Sequence, residues 1–522
     1  MRYVLLTLAF LNCALALAQT TPQIEWQRCL GGGARDEGYA LIQDPDGNYV
    51  VAASTFSVDG DVVAQHGGGE MWVVKMDPVG AIIWAKTYGG SGGEGGFNIC
   101  ESSDGGYLVL GTTSSNDGDV SEHHGLGDIW AVRLDLDGNI IWERAFGGSL
   151  NEEASGLTAT ADGGFLISGQ SPSIDGDLTT NQGGWDAWVL KLDATGNLEW
   201  QRSIGGSGME ILLAIQQTSD GGSISTGFTT SNNGDIIGNH GLFDMLVLKL
   251  SATGETQWQR ILGGTGNEGG NAVAETTDGG FIVLGSADMN DGDVSGNHSN
   301  TADAWLVRLN STGDLLWQNC YGGTAYDNGT SIQTTEDGGF AFLGSTYSTN
   351  GDVTTTNGAL DFWLVRTNEI GQIQWQRTMG GGLEDQAQKI IRTVDGGFAA
   401  IGSTKSNNFD VSGYHGGEFD CWIVKLSADP TSIQDLSSTF NIAIFPNPTH
   451  GDETITYTLE RAALVQVEIH DVEGKLISTI SSGIRASGPH ILALPLTKLP
   501  SGNYFVALRV DGKVVVRKVS KV

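Results

Sequence analysis

One unit recurs seven times along this chain, and that repetition constrains the fold more than any other feature. The segments Ile24-Glu25-Trp26, Ile82-Ile83-Trp84, Ile140-Ile141-Trp142, Leu198-Glu199-Trp200, Thr256-Gln257-Trp258, Leu315-Leu316-Trp317 and Ile373-Gln374-Trp375 return every 58 residues, once after 59. Two glycines stand five and six residues after each Trp, from Gly31-Gly32 to Gly380-Gly381. A carboxylate follows ten residues after each Trp: Asp36, Glu94, Glu152, Glu210, Glu268, Asp327 and Asp385. An Asp-Gly turn then precedes an aromatic-led apolar run such as Phe281-Ile282-Val283-Leu284-Gly285. Seven in-phase copies mark a repeat architecture in which each unit buries its apolar faces against its neighbours.

Each unit carries four strand signals. A stretch after the carboxylate and the run after the Asp-Gly turn form a hairpin. A long polar loop leads to a third strand, where Trp188 and Leu190 alternate with Val189 and Lys191, the two-residue rhythm of a strand. A turn over 193–197 leads to the fourth, which bears the periodic Trp. Four-stranded sheets repeated radially are propeller blades. The 78 glycines with only 10 prolines and no collagen period suit such a turn-rich β protein.

The phase of the repeat argues for closure. The first copy opens on a lone fourth strand at 23–28, and the last ends on its third at 422–426. A linear array would leave two bare strand edges, which invite aggregation; a ring lets the opening strand complete the last sheet. The expected fold is therefore all-β, a seven-bladed β-propeller with its N-terminal strand closing the last blade. If Trp188 pairs with roughly Gln201, the same register sets Cys421 opposite Arg28 or Cys29. Cys29–Cys421 is then a candidate disulfide clasp. The alternative is two buried thiols, because a one-residue slip separates the side chains onto opposite faces.

The ends differ from the middle. Residues 1–18 read as a signal peptide: Arg2, an apolar stretch from Val4 to Leu17, and Ala16-Leu17-Ala18 before the cleavage point. No other segment is apolar enough to span a bilayer as a helix. Residues 19–430 carry 17 basic and 53 acidic side chains, residues 440–522 nine and seven; such asymmetry marks a domain boundary, with 431–439 as linker. The net charge of -34 disfavours nucleic acid and anionic membrane surfaces as partners.

Over residues 24–428 the motifs Asp-Gly-Gly-Phe and Asp-x-Trp-x-Val-Lys-Leu resemble the secreted bacterial β-propeller repeats of the SBBP type, and more loosely the delta-60 repeats. That resemblance implies a propeller and little about chemistry. The tail presents Phe445-Pro446-Asn447-Pro448, then Gly474-Lys475, and later Gly502-Asn503-Tyr504-Phe505. It resembles the type A C-terminal sorting domain of type IX secretion cargo. That family implies a small immunoglobulin-like β-sandwich, a Bacteroidetes-type host, the type IX machinery as partner of residues 440–522, and a secreted or outer-surface location.

Three residue sets are candidates for chemistry. The loop before the third strand reads Asp59-Gly60-Asp61, Asp117-Gly118-Asp119, Asp175-Gly176-Asp177 and Asp291-Gly292-Asp293, with Asn leading the other three copies. Paired carboxylates could help supply the six to eight oxygens of calcium, although Asp before Gly forms turns without a metal. Five residues on stand His66, His124, Gln182, His240, His298, Asn357 and His415; Gln and Asn replace a hydrogen-bonding imidazole better than a zinc ligand. The seven carboxylates after the Trp are placed to ring one mouth of the central channel, or to accept hydrogen bonds from the glycine pairs. What all units share is expected to be scaffold, so a single functional site belongs where copies differ. Met209, Trp185, Phe243 and Phe419 are such departures, as are the scarce cations Arg35, Lys389 and Arg392.

No nucleophile elbow, phosphate loop, HExxH or Cys-x-x-Cys is present. The reading is an exported binding or adhesion module, taking a glycan or protein ligand on the propeller face. The alternative is an extracellular glycoside hydrolase or lyase, which would need one asymmetric carboxylate cluster.

Overall fold

The computed structural model describes residues 21–429, 442–445, 447, 453–459, 461–471, 475–510 and 513–522. The expected signal peptide over 1–18, the expected linker over 431–439, and Pro446, Pro448 and Gly474 lie outside the described residues. The chain divides into two compact units, Met1–Ser432 and Ile433–Val522.

The first unit is built of seven four-stranded antiparallel sheets in a propeller-like succession. The first strands, Asp36–Gln43, Glu94–Glu101, Glu153–Ala159, Glu210–Gln217, Glu268–Glu275, Asp327–Thr334 and Asp385–Arg392, all line one central cavity. Each carries a β-bulge; in the seventh it falls between Ala387 and Lys389. The third strand is buried at every position, as in Asp186–Leu192. Its Trp, replaced by Leu246 in the fourth sheet, is buried in the other six, and the indole N–H of Trp188 reaches Gln201 Oε1 at 2.6 Å. Its cation pairs with the hairpin-turn aspartate: Lys75 with Asp44 at 3.0 Å, Arg308 with Asp278 at 2.6 Å, Lys425 with Asp395 at 2.9 Å. The fourth-strand Trp instead joins neighbours. Trp84 Nε1 donates to Leu136 O of the next sheet at 3.2 Å, and the ring lies against Gly138, where any Cβ would fall within about 3.0 Å of it.

The strand Ile24–Leu30 pairs with Asp420–Leu426 and completes the seventh sheet. The seam repeats the other junctions: Asp36 N–H donates to Phe419 O at 2.8 Å, as Glu94 N–H does to Gly69 O at 2.8 Å. Trp26 Nε1 reaches Pro78 O of the first sheet at 3.1 Å, and Leu30, Leu41, Tyr49, Ile401 and Ile423 share one buried cluster.

The expected cysteine clasp is corrected. Cys29 lies opposite Trp422 and Cys421 opposite Leu30, and both thiols are free. Each fourth strand carries a bulge near its start, between Ile24 and Trp26 at the seam. The true partner of Trp188 is accordingly Ser203, with Gln201 opposite Leu190. The two cysteines are thus one register step apart, on opposite faces.

The second unit has a three-stranded and a four-stranded antiparallel sheet. Val465, Val467 and Ile469 alternate inward and share a core with Ile455, Tyr457, Leu494, Val506 and Leu508. No α-helix occurs among the described residues; one 3-10 turn spans Leu496–Lys498.

Candidate functional site

The seven carboxylates ten residues after the Trp sit at the sheet junctions, and all are buried. Glu94 shows why. Its Oε2 accepts the Gly90 N–H at 2.9 Å, and its Oε1 accepts Thr113 Oγ1 at 2.8 Å and Ser115 Oγ at 2.6 Å. Asp36 takes Gly32 N and the hydroxyls of Thr55 and Ser57. Glu152, Glu210, Asp327 and Asp385 take the matching glycine amides at 2.6–2.9 Å. None of the seven lines the central cavity. The expectation of a channel-mouth ring is therefore corrected: a glycine amide, joined by hydroxyls in every repeat but that of Glu268, draws each carboxylate into a junction.

A second set of buried acids leads the third strands: Glu70, Asp128, Asp186, Asp244, Asp303, Asp361 and Asp420. The sequence signal was present as an acid two residues before each third-strand Trp or Leu246, and the sequence argument gave it no role. Each histidine of the preceding loop serves this acid. His124 donates its backbone N–H to Asp128 Oδ2 at 2.7 Å, and its Nδ1 stands 2.8 Å from the same oxygen. His66, His240, His298 and His415 repeat the Nδ1 contact on Glu70, Asp244, Asp303 and Asp420 at 2.7–3.1 Å. Gln182 and Asn357 keep only the backbone contact to Asp186 and Asp361.

The glycine between the two acids is compelled. A Cβ on Gly147 would come within 2.5 Å of Glu152 Oε2 and 2.6 Å of Asp128 Oδ1. Burial and the neighbouring charge raise the proton affinity of five of these acids: Asp361, buried and facing Asp385, is pushed up to about 6, and Asp186, Asp244, Asp303 and Asp420 move the same way.

The loop aspartates tie the same glycines from the other side. Asp59 Oδ1 accepts Gly33 N at 2.7 Å and Asp61 Oδ2 accepts Gly31 N at 3.2 Å. Asp117 and Asp119 take Ser91 N and Gly89 N, Asp175 and Asp177 take Ser149 N and Gly147 N, and Asp291 and Asp293 take Thr265 N and Gly263 N. Among the described residues no three His, Cys, Asp or Glu side chains group as a metal-ligating set.

The central cavity has a volume of about 1270 Å³. Its wall is neutral and polar over much of its extent, with Asn98, Thr158, Gln216, Asn271, Gln333 and Gln388. Tyr39 and Phe97 meet edge to face in that wall at 5.2 Å. Lys389 projects from the seventh sheet, its Nζ 3.5 Å from Asn98 Oδ1 of the second. Arg35 pairs within its own stretch of chain with Glu37 at 2.8 Å, and Arg392 pairs with Glu336 of the sixth sheet at 2.9 Å. Phe243 stacks edge-on against Phe228, and Phe419 lies under Lys405 at 4.2 Å.

In the tail, Asn447 joins the C-terminal strand through Lys518 O at 2.8 Å and Ser520 N at 3.0 Å. Lys475 N–H donates to Asp471 Oδ1 at 2.9 Å. Gly502 opens a strand in which Tyr504, buried, donates its hydroxyl to Pro500 O at 2.8 Å.

Comparison with known proteins gives three findings. The chain is 25% identical over 495 residues to the regulatory protein FlaEY of Caulobacter vibrioides, covering 86% of this chain and 48% of that protein; it thus spans about half the relative's length. Among solved structures, PorZ, described as an essential bacterial surface component of the type-IX secretion system of Porphyromonas gingivalis, aligns with a TM-score of 0.44 and 12% identity, over 94% of this chain and 60% of PorZ. The Pan2 WD40 domain of Neurospora crassa aligns with a TM-score of 0.42 and 9% identity, over 78% and 97%. Residues 443–521 match the family described as the secretion system C-terminal sorting domain, so this chain ends in a sorting domain of that family, which marks it for export to the cell surface or beyond.

Proposed function

We propose that the protein is a surface-displayed or released binding module: a closed seven-bladed propeller carried out of the cell by an immunoglobulin-like sandwich through type IX secretion. The match of residues 443–521 to the sorting-domain family carries this reading. The repeat supports the first half, since seven four-stranded sheets follow one another and the first strand completes the last sheet. Binding is favoured over glycan hydrolysis because hydrolysis takes two carboxylates flanking the bond, and the cavity wall contributes Glu153 alone. The test is deletion of residues 442–522 in the native bacterium, followed by fractionation. The full chain reaches the surface or medium while the truncated chain stays in the periplasm; equal export of both forms contradicts the reading. Binding is tested separately on a glycan array with the full chain.

A further inference from the structure

The seven first strands place equivalent residues around one cavity, and one of them differs in kind. Four positions after the leading acid stand Ala40, Asn98, Gly156, Ala214, Ala272 and Ser331 in six sheets, and Lys389 in the seventh. The bulge between Ala387 and Lys389 sets both Gln388 and Lys389 in the cavity wall, and bulges re-aim side chains next to functional sites.

Among the described residues Lys389 has no carboxylate partner; its polar contact is Asn98 Oδ1 at 3.5 Å. The third-strand cations, by contrast, are spent on aspartates, as Lys75 and Lys425 are. Glu153, the one carboxylate in the wall, accepts Gln170 Nε2 at 2.7 Å within its own sheet. A chain with 61 acidic and 27 basic side chains thus keeps one uncompensated ammonium in its central cavity. Burial draws its proton affinity down, which an arriving anion would reverse.

Asn98 stands beside the ammonium, and the same cavity wall carries Gln386, Gln388, Asn328 and Gln333, amides that both donate and accept. The Tyr39–Phe97 pair adds apolar ring surface at the same wall. Neutral amides and aromatic faces suit sugar hydroxyls and C–H faces, and an ammonium suits a carboxylate.

We propose that the central cavity binds an acidic sugar, a pyranose bearing a carboxylate, with the carboxylate on Lys389 and the hydroxyls on the surrounding amides. This rests on the binding-module reading and names its ligand class. The test is titration calorimetry of the full chain without its signal peptide, using glucuronate and trigalacturonate, with glucose and acetate as controls. Wild type binds the uronates, and Lys389→Gln weakens them by about tenfold or more at an unchanged melting temperature, while Lys389→Arg retains binding. Asn98→Ala, which leaves the ammonium in place, gives a smaller loss. Acetate binding as tight as glucuronate binding means that a bare anion is recognised and overturns the sugar. Uronate binding unaffected by Lys389→Gln overturns the site. Binding of neutral glycans but no uronate overturns this inference and leaves the binding module standing; silence of both the array and calorimetry removes both.

Discussion

Glu268 faces Ala287 across its sheet, whereas Asp36, Glu94, Glu210, Asp327 and Asp385 face Thr55, Thr113, Thr229, Thr346 and Thr404. Two residues on, Met289 stands where the other repeats place a serine, from Ser57 to Ser406. Glu268 keeps the Gly264 N–H at 2.8 Å, but its Oε1 is buried without a partner. Burial, with Asp244, Asp288 and Asp291 nearby, pushes its pKa up to about 7.

That shift has a defined sign. Between the ordinary value of 4.5 and about 7 the folded protein holds a proton that the unfolded chain releases. Stability from this group therefore falls as pH rises across that window and is flat above it. Asp361, raised to about 6, acts in the same direction. Ala287→Thr with Met289→Ser restores two hydroxyl donors to a charged group, each worth about 2 kcal/mol. The double variant gains stability at pH 7.5 and little at pH 4.5 in chemical denaturation; an equal gain at both values contradicts the assignment.

Arg366 is fully buried and binds both Asp337 at 2.5 Å and Asp429 at 3.0 Å. Removing one member of such a set strands buried charge, at about 3–5 kcal/mol. Arg366→Ala is expected to lower the melting temperature sharply, while Arg392→Ala, which opens the exposed pair with Glu336, changes stability by less than about 1 kcal/mol. Similar losses in the two variants would refute the contrast.

Cys29, Cys100, Cys320 and Cys421 are all free, and burial raises the proton affinity of each, Cys100 and Cys320 to about 12. The chain from residue 19 onward is expected to resist a thiol reagent when native and to titrate four thiols on unfolding. A Cys29–Cys421 peptide in a non-reducing digest is the contrary result.

The loop aspartates already accept backbone amides, as Asp175 does from Ser149 and Asp177 from Gly147. Chelator treatment should leave the melting temperature unchanged. A clear drop on chelation, reversed by calcium, would instead assign Asp59, Asp61, Asp117, Asp119, Asp175, Asp177, Asp291 and Asp293 to metal.

The sheets were legible because the 58-residue period, the glycine pairs and the acids are local in sequence. The unmatched strand at each end of the repeat gave the pairing of Ile24–Leu30 with Asp420–Leu426. Side-chain facing was not legible where a bulge intervenes: the extra residue between Ile24 and Trp26 separates Cys29 from Cys421. Lys389 was visible as a cation that broke the pattern. Its setting depends on Asn98, 291 residues away, and no local pattern encodes that distance. The third-strand acids recurred as plainly as the Trp, but their partner, the histidine loop, only reaches them once the loop folds back.

Closure of the ring is tested most directly by hydrogen exchange over residues 22–30 in the intact chain. Closure predicts that the amides of Gln27–Leu30 exchange as slowly as those of Cys421–Val424, their partners across the seam. Fast exchange of 22–30 beside a protected 421–426 would contradict it.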